Sequence, residues 1–429
     1  MIPDNLFAPP PMNVSQSPQP ILPAPAADAL AHSERVTAHI RGEIAAAGGR
    51  IGFDRFMELA LYAPGLGYYS AGSRKLGADG DFITAPELSP LFGQTLALQA
   101  RQVLESGLDS ILEVGAGSGA LAATLLGELE RLDALPARYL ILELSADLRE
   151  RSRDMLAARV PHLVERVAWL NQLPPAFSGF VIGNEVLDAM PVKRLVVRPG
   201  GVRQGGVPPE GVYEQQVGWR QGGGEQGEKR GDESGRFHWV EVPADAALRA
   251  EALTLGLTRM ELPADGYATE IGFAARGFMR SLGGVLKRGV ALFFDYGFPR
   301  AEYYHAQRRD GTLMCHYRHR AHADPFFLAG LQDITCHVDF SAIARAAHES
   351  GLALAGYAAQ AQFLINCGIT GILARTPPHQ VADYLPLSNQ ANRLMSPAEM
   401  GELFKVIAFR RGLQPALVGF ASGDRSGRL

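Results

Sequence analysis

The chain has 429 residues, 47% of them hydrophobic, with 41 Lys or Arg against 45 Asp or Glu and a net charge of −4. That length supports a large core plus a second lobe or long insertions. The charge gives no basic face for nucleic acid, no apolar run reaches the ~18 residues of a membrane helix, and three cysteines without C-x-x-C spacing exclude a disulfide framework.

Residues 1–27 are dense in proline, with Pro9, Pro10, Pro11, Pro18 and Pro20 among them, and read as a disordered arm. The arm has no basic and apolar leader and no arginine before Arg35, so neither a signal nor a transit peptide is expected. A bacterial cytoplasmic setting follows as the expectation. Residues 28–108 read as an N-terminal helical lobe or lid. It comprises a helix at 29–47 closed by Gly48 and Gly49, a helix at 53–61 stopped by Pro64 and Gly65, a glycine- and aromatic-rich loop from Gly67 to Glu87, and a helix at 90–105.

From 109 to 429 a core of alternating strands and helices is expected. Strands fall at 111–114, 139–143, 167–170, 180–183 and 290–294, with helices at 120–132 and 146–159. Continuous apolar strands separated by helices predict an α/β fold with a parallel sheet covered on both faces. An insertion at about 195–265 lies between the fourth and fifth strands. Its glycine-rich stretch 200–236 reads as a flexible tip, and 237–242 as a strand returning to pair with 195–197 as an inserted β-hairpin.

The chemistry gathers at the strand ends. After the first strand comes Glu113-Val114-Gly115-Ala116-Gly117-Ser118-Gly119-Ala120. Gly115, Gly117 and Ala120 satisfy the G-x-G-x-x-G/A dinucleotide fingerprint, in which glycines let the backbone approach a cofactor. Glu113, two residues before the first glycine, and Gly119 extend the run to Glu-x-Gly-x-Gly-x-Gly, which resembles the cofactor turn of class I S-adenosylmethionine-dependent methyltransferases. Glu143, ending the second strand, suits two ribose hydroxyls and serves NAD and S-adenosylmethionine equally. Asn184, Glu185 and Asp188 follow the fourth strand. Carboxylates there can grip a guanidinium and leave one nitrogen free to attack. Glu270 reads either as an acid at a helix N-terminus or as a further carboxylate for the same acceptor. The segment from Cys315 to Asp324, rich in His and Arg, reads as a loop meeting substrate or an acidic partner rather than a metal site, and His337 as structural.

Taken together, Gly80-Asp81-Phe82-Ile83-Thr84-Ala85-Pro86-Glu87, the glycine turn, Asn184-Glu185-Val186-Leu187-Asp188-Ala189 and Asp295-Tyr296-Gly297 resemble the MidA-type (DUF185) methyltransferases. The later segments 333–340 and 363–368 are similar too. This is the family of the mitochondrial complex I assembly factor that methylates arginine, and the match spans roughly 35–410. The resemblance implies a class I, Rossmann-like methyltransferase core whose N-terminal helical segment closes over S-adenosyl-L-methionine. By position, Glu113, Gly115, Gly117, Gly119 and Glu143 would bind that cofactor. Asp81, Thr84, Pro86 and Glu87 would shape the site, and Asn184 and Glu185 would lie beside the reactive methyl. The implied partner is a protein presenting an arginine, such as a respiratory complex I subunit or its bacterial homologue; the assembly is left open, with a homodimer as one option. The chain departs from the pattern in its long 200–236 stretch, and in Asn171, where many methyltransferases place an acid. A small-molecule methyltransferase, a non-catalytic cofactor-binding assembly factor and a dinucleotide oxidoreductase stay open as alternatives.

Overall fold

The computed structural model describes residues 22–71, 83–199, 211–221, 235–260, 262–263, 265–414 and 416–429. Seven strands lie side by side: β1 (Ser110–Val114), β2 (Arg138–Leu142), β3 (Val167–Leu170), β4 (Phe177–Asn184), β5 (Leu286–Phe298), β6 (Ala353–Ala359) and β7 (Phe404–Arg411). Their spatial order is 3-2-1-4-5-7-6. The pairs from β3 through β5 are all parallel, whereas β7 runs antiparallel to both β5 and β6. A short piece, Val338–Asp339, pairs in parallel with the end of β5.

The five expected strands are present, but the sheet is mixed rather than wholly parallel. The two strands missed carry continuous apolar runs such as Val406-Ile407-Ala408-Phe409, all fully buried. Periodicity cannot tell such a run from a buried helix segment.

Both faces of the sheet are covered, and the strand period of two explains how. Along β5, Phe293 enters one core and Phe294 the other; along β4, Val181 and Ile182 divide the same way. The helices Pro90–Leu104 and Ala120–Arg131 cover one face, and Phe273–Val285 and Phe340–Glu349 the other. The helix Pro90–Leu104, placed in the N-terminal lobe by sequence, thus packs into the central core. Its buried side, including Phe92 and Leu96, faces the sheet.

The helices Ala27–Ala46 and Phe53–Tyr62 instead pack on a second, antiparallel sheet, with Phe53, Phe56 and Val217 in their shared core. That sheet corrects the expected hairpin. The strand Arg236–Pro243 pairs with Gly211–Arg220 and not with Lys193–Arg198, which lies between Gly211–Arg220 and Tyr267–Ile271. Arg50–Gly52 pairs with residues 216–218 of the Gly211–Arg220 strand, past the stretch that meets Lys193–Arg198. The Gly211–Arg220 strand also lies inside the stretch read as a flexible tip. Tyr213 and Val217 are buried there, and β-branched and aromatic residues outweigh the flanking glycines. The rest of 200–236 falls largely outside the described residues, as do 1–21 of the proline-rich arm. No helix among the described residues is long and apolar enough to cross a membrane.

Candidate functional site

The strand order reverses between β1 and β4: the chain leaves β1 towards β2 and β3 on one side, and β4 towards β5 on the other. Ligands in open α/β sheets bind at such a point, beyond the carboxyl ends of the strands. A cleft of about 1030 Å³ opens there.

The glycine turn forms its first wall. Gly115 and Gly117 line the cleft with φ of +69° and +53°, a left-handed conformation that glycine adopts without steric cost. Gly119 sits one step back as the left-handed residue that opens the helix Ala120–Arg131 (φ +85°). A Cβ there would lie 2.9 Å from Ser152 Cα, so glycine is what lets two helices approach. Glu113 is almost fully buried, accepts from Tyr139 Oη at 2.8 Å, and is pushed up to about 7 by burial.

Glu143, at the end of β2, lines the second wall. Its Oε1 accepts from the Ser145 amide at 2.9 Å, and burial raises its pKa despite amides of Ser145, Leu144 and Gly117 that favour the charge. Ser145 in turn caps the helix Ala146–Arg159, accepting from Leu148 N at 3.2 Å. Thr84, Pro86 and Glu87 line the same cleft, with the Ser118 hydroxyl donating to Glu87. Asp81 lies outside the described residues.

Asn184 and Glu185 form the third wall. Glu185 takes a left-handed φ of +54°, rare for a residue with a side chain and strained by roughly 1–3 kcal/mol. Its backbone is pinned by a bond from its amide to Phe294 O at 2.9 Å. Asn184 Nδ2 donates to Glu185 Oε1 at 2.9 Å, while Asn184 Oδ1 is buried with no partner among the described residues. Burial, aggravated by the neighbouring Asp188 charge, pushes Glu185 up to about 8.

The structure separates the remaining candidates. Asp188 does not line the cleft; it is buried beneath it against Asp295, where burial raises both acids, Asp188 to about 6 and Asp295 further. Two carboxyl groups buried together cannot both ionise cheaply, so burial and mutual repulsion favour a proton held within the pair. Glu270 is neither at a helix start nor in the cleft. It sits on the strand Tyr267–Ile271, pairs with Arg194 at 2.9 Å and accepts from the Thr312 amide and hydroxyl. The antiparallel sheet, invisible in the local sequence, carries it away.

The expected His/Arg loop is a hairpin, Met314–Tyr317 with Arg320–His322, turning at left-handed Arg318 and His319, and none of it lines the cleft. Burial lowers His316 to about 4 and His337 to about 3, so both are neutral. Among the described residues no group of three or more His, Cys, Asp or Glu is arranged to hold a metal.

Asn171, singled out by the resemblance, lines the cleft after β3, while several other lining residues carried no sequence signal of their own: Tyr62 and Tyr69 come from the first lobe, and Gln172 and Leu173 follow Asn171. An aromatic residue beside a glycine turn reads the same whether it faces a core or a cleft.

These residues fit S-adenosylmethionine. Left-handed glycines leave the backbone bare, Glu143 offers an acceptor at the β2 tip, Asn184 Oδ1 lacks a partner, and Val114, Leu142, Leu144 and Leu173 supply apolar surface. The comparisons agree. A family model described as "Putative S-adenosyl-L-methionine-dependent methyltransferase" matches residues 95–358. "Protein arginine methyltransferase NDUFAF7, mitochondrial" of Danio rerio is 26% identical over 410 residues, covering 87% of this chain and 86% of that protein. The Drosophila melanogaster homolog is 24% identical over 421 residues, with the same coverage of each. A COG1565 superfamily member from Burkholderia thailandensis, crystallised with S-adenosyl-homocysteine, is 48% identical with a TM-score of 0.86, over 95% of this chain and 100% of that one. The chain therefore belongs to this family of S-adenosyl-L-methionine-dependent methyltransferases, with the class I fold and S-adenosyl-L-methionine as its cofactor.

Proposed function

We propose that the chain transfers methyl groups to arginine side chains of a protein substrate. The observation that carries this reading is Glu185: a half-buried carboxyl at the tip of β4 that lines the cleft, with no cation paired to it among the described residues. The relatives named as protein arginine methyltransferases support the same acceptor.

When bound, the cofactor supplies an electrophilic methyl on a sulfonium. The protein's task is to hold an acceptor nitrogen and take away its charge. Before a cation enters, Glu185 holds a proton because ionising it in the buried cleft is costly. An arriving guanidinium favours the carboxylate, so Glu185 releases its proton to solvent and accepts the guanidinium N–H groups. Asn184 Nδ2, 2.9 Å from Glu185 Oε1, keeps that carboxylate oriented. As the acceptor nitrogen gains the methyl it gives up one proton, which Glu185 takes as general base.

The resemblance to MidA-type proteins makes a complex I type subunit, or its bacterial homologue, the acceptor to try first. The test is label transfer from methyl-tritiated cofactor into cell lysate, followed by hydrolysis and amino-acid analysis. Methylarginine in a protein band is expected. Label only in small molecules would favour a metabolite acceptor, and label in another amino acid would overturn the arginine reading.

A further inference from the structure

The cleft that Glu185 lines also has aromatic walls. Tyr62, ending the helix Phe53–Tyr62, and Tyr69, in the turn beyond, both line it. Their rings stack with centroids 5.4 Å apart and planes 23° from parallel. Both hydroxyls are engaged: Tyr62 Oη donates to the Ala189 carbonyl at 2.9 Å, and Tyr69 Oη to Asp333 Oδ1 at 2.8 Å. Ala189 lies four residues past Glu185, so these bonds fix the rings against the segment that carries the acid. A phenol held this way presents mainly ring surface to an incoming side chain. The lysine that lines the same cleft does not compete for that surface, because Lys193 lies 2.7 Å from Glu214 and 3.3 Å from Asp54.

The two common cationic side chains ask for different surroundings. An ammonium is compact and strongly hydrated, and its three donors need three acceptors. A guanidinium is flat and weakly hydrated; it lays a face on an aromatic ring while its edge donates in plane to a carboxylate. Ring walls in the cleft that also holds the Glu185 carboxyl and the Asn184 amide match the second.

We propose that Tyr62 and Tyr69 form, with Asn184 and Glu185, an acceptor slot selective for planar guanidinium over ammonium cations. It rests on the arginine reading above and adds the residues that enforce it. The test is binding, measured by ligand-observed NMR on protein loaded with S-adenosyl-homocysteine. The probes are N-acetylarginine amide, N-acetyllysine amide and the flat but neutral N-acetylcitrulline amide.

The arginine probe should bind about five- to tenfold more tightly than either other probe, the scale of a cation–π contact added to a charge pair. Tyr62→Leu and Tyr69→Leu should each erase most of that preference, whereas Tyr62→Phe and Tyr69→Phe, which keep the ring, should retain it. Cofactor-product affinity measured in parallel identifies the variants that fold. The slot is overturned if the wild type binds no arginine probe, if the lysine probe binds as well, if folded Leu variants keep the preference, or if Phe variants lose it. If lysate labelling yields methylarginine but ring removal changes nothing, the slot falls and the arginine reading stands. If the slot prefers guanidinium but no protein arginine is labelled, the reverse holds.

Discussion

Asp295 Oδ2 accepts a hydrogen bond from the backbone amide of Leu187 at 2.9 Å, across 108 positions of sequence. The same oxygen takes the Val186 amide at 3.2 Å. One side chain on β5 thereby ties down the turn in which Glu185 holds its left-handed conformation. Asp295→Ala should slow methyl transfer by up to about a hundredfold, the loss expected when a reacting group drifts by an ångström. Cofactor affinity should change far less, because Asp295 does not line the cleft. Parallel calorimetry and turnover measurements separate the two, and equal losses in both would show that Asp295 supports the whole site.

Glu185→Gln keeps the shape of the side chain but removes the carboxylate. It should bind the cofactor normally and transfer no methyl. Turnover at the wild-type rate would take Glu185 out of the mechanism.

At the glycine turn, Gly117→Val should abolish cofactor binding, since the residue lines the cleft and its φ of +53° disfavours a branched side chain. Gly119→Ala fails for a different reason, the 2.9 Å approach to Ser152 Cα at φ +85°. It should lower stability by roughly 1–3 kcal/mol before any effect on the ligand. Thermal unfolding of the two variants distinguishes loss of ligand space from loss of packing.

Glu270 lies outside the cleft lining and pairs with Arg194. Its side chain is fully buried against Arg194, so Glu270→Ala leaves a buried cation unpaired at a cost of about 3–5 kcal/mol. The predicted signature is a large drop in melting temperature with cofactor affinity retained below the transition. A normally stable variant that fails only in catalysis would return Glu270 to the active site.

The pH dependence follows from the buried acids. Glu113, held up to about 7, and Glu185, held up to about 8, bind a proton more tightly folded than unfolded. Their contribution to stability is complete below the ordinary carboxylate range and is lost as pH rises through those folded values. His316 and His337, pushed down to about 4 and 3, act in the opposite sense, but only below about pH 6.5, where an unfolded histidine gains its proton. The melting temperature of cofactor-free protein should therefore fall between about pH 6.5 and 8.5, and Glu185→Gln should flatten the upper part of the fall. Overlapping profiles for wild type and variant would contradict the burial assigned to Glu185.

Much of this could be read locally. The runs 111–114, 139–143 and 180–183 are apolar, continuous and bounded by glycine or helix signals, and they became β1, β2 and β4 within a few residues. The acids and glycines at their ends necessarily share one rim, because parallel strands in one sheet all point their carboxyl ends the same way. The left-handed turn at Gly115, Gly117 and Gly119 was foreshadowed by residue type alone. The reversed strand β7, the pairing of Gly211–Arg220 and the removal of Glu270 and Asp188 from the cleft lining were not foreshadowed. Each depends on which distant segment a strand or side chain meets, and short sequence windows hold no record of that. Tyr62 and Tyr69 make the same point. Their chemistry was plain in the chain, but only packing of the first lobe against the β4 turn decided that they would wall the cleft.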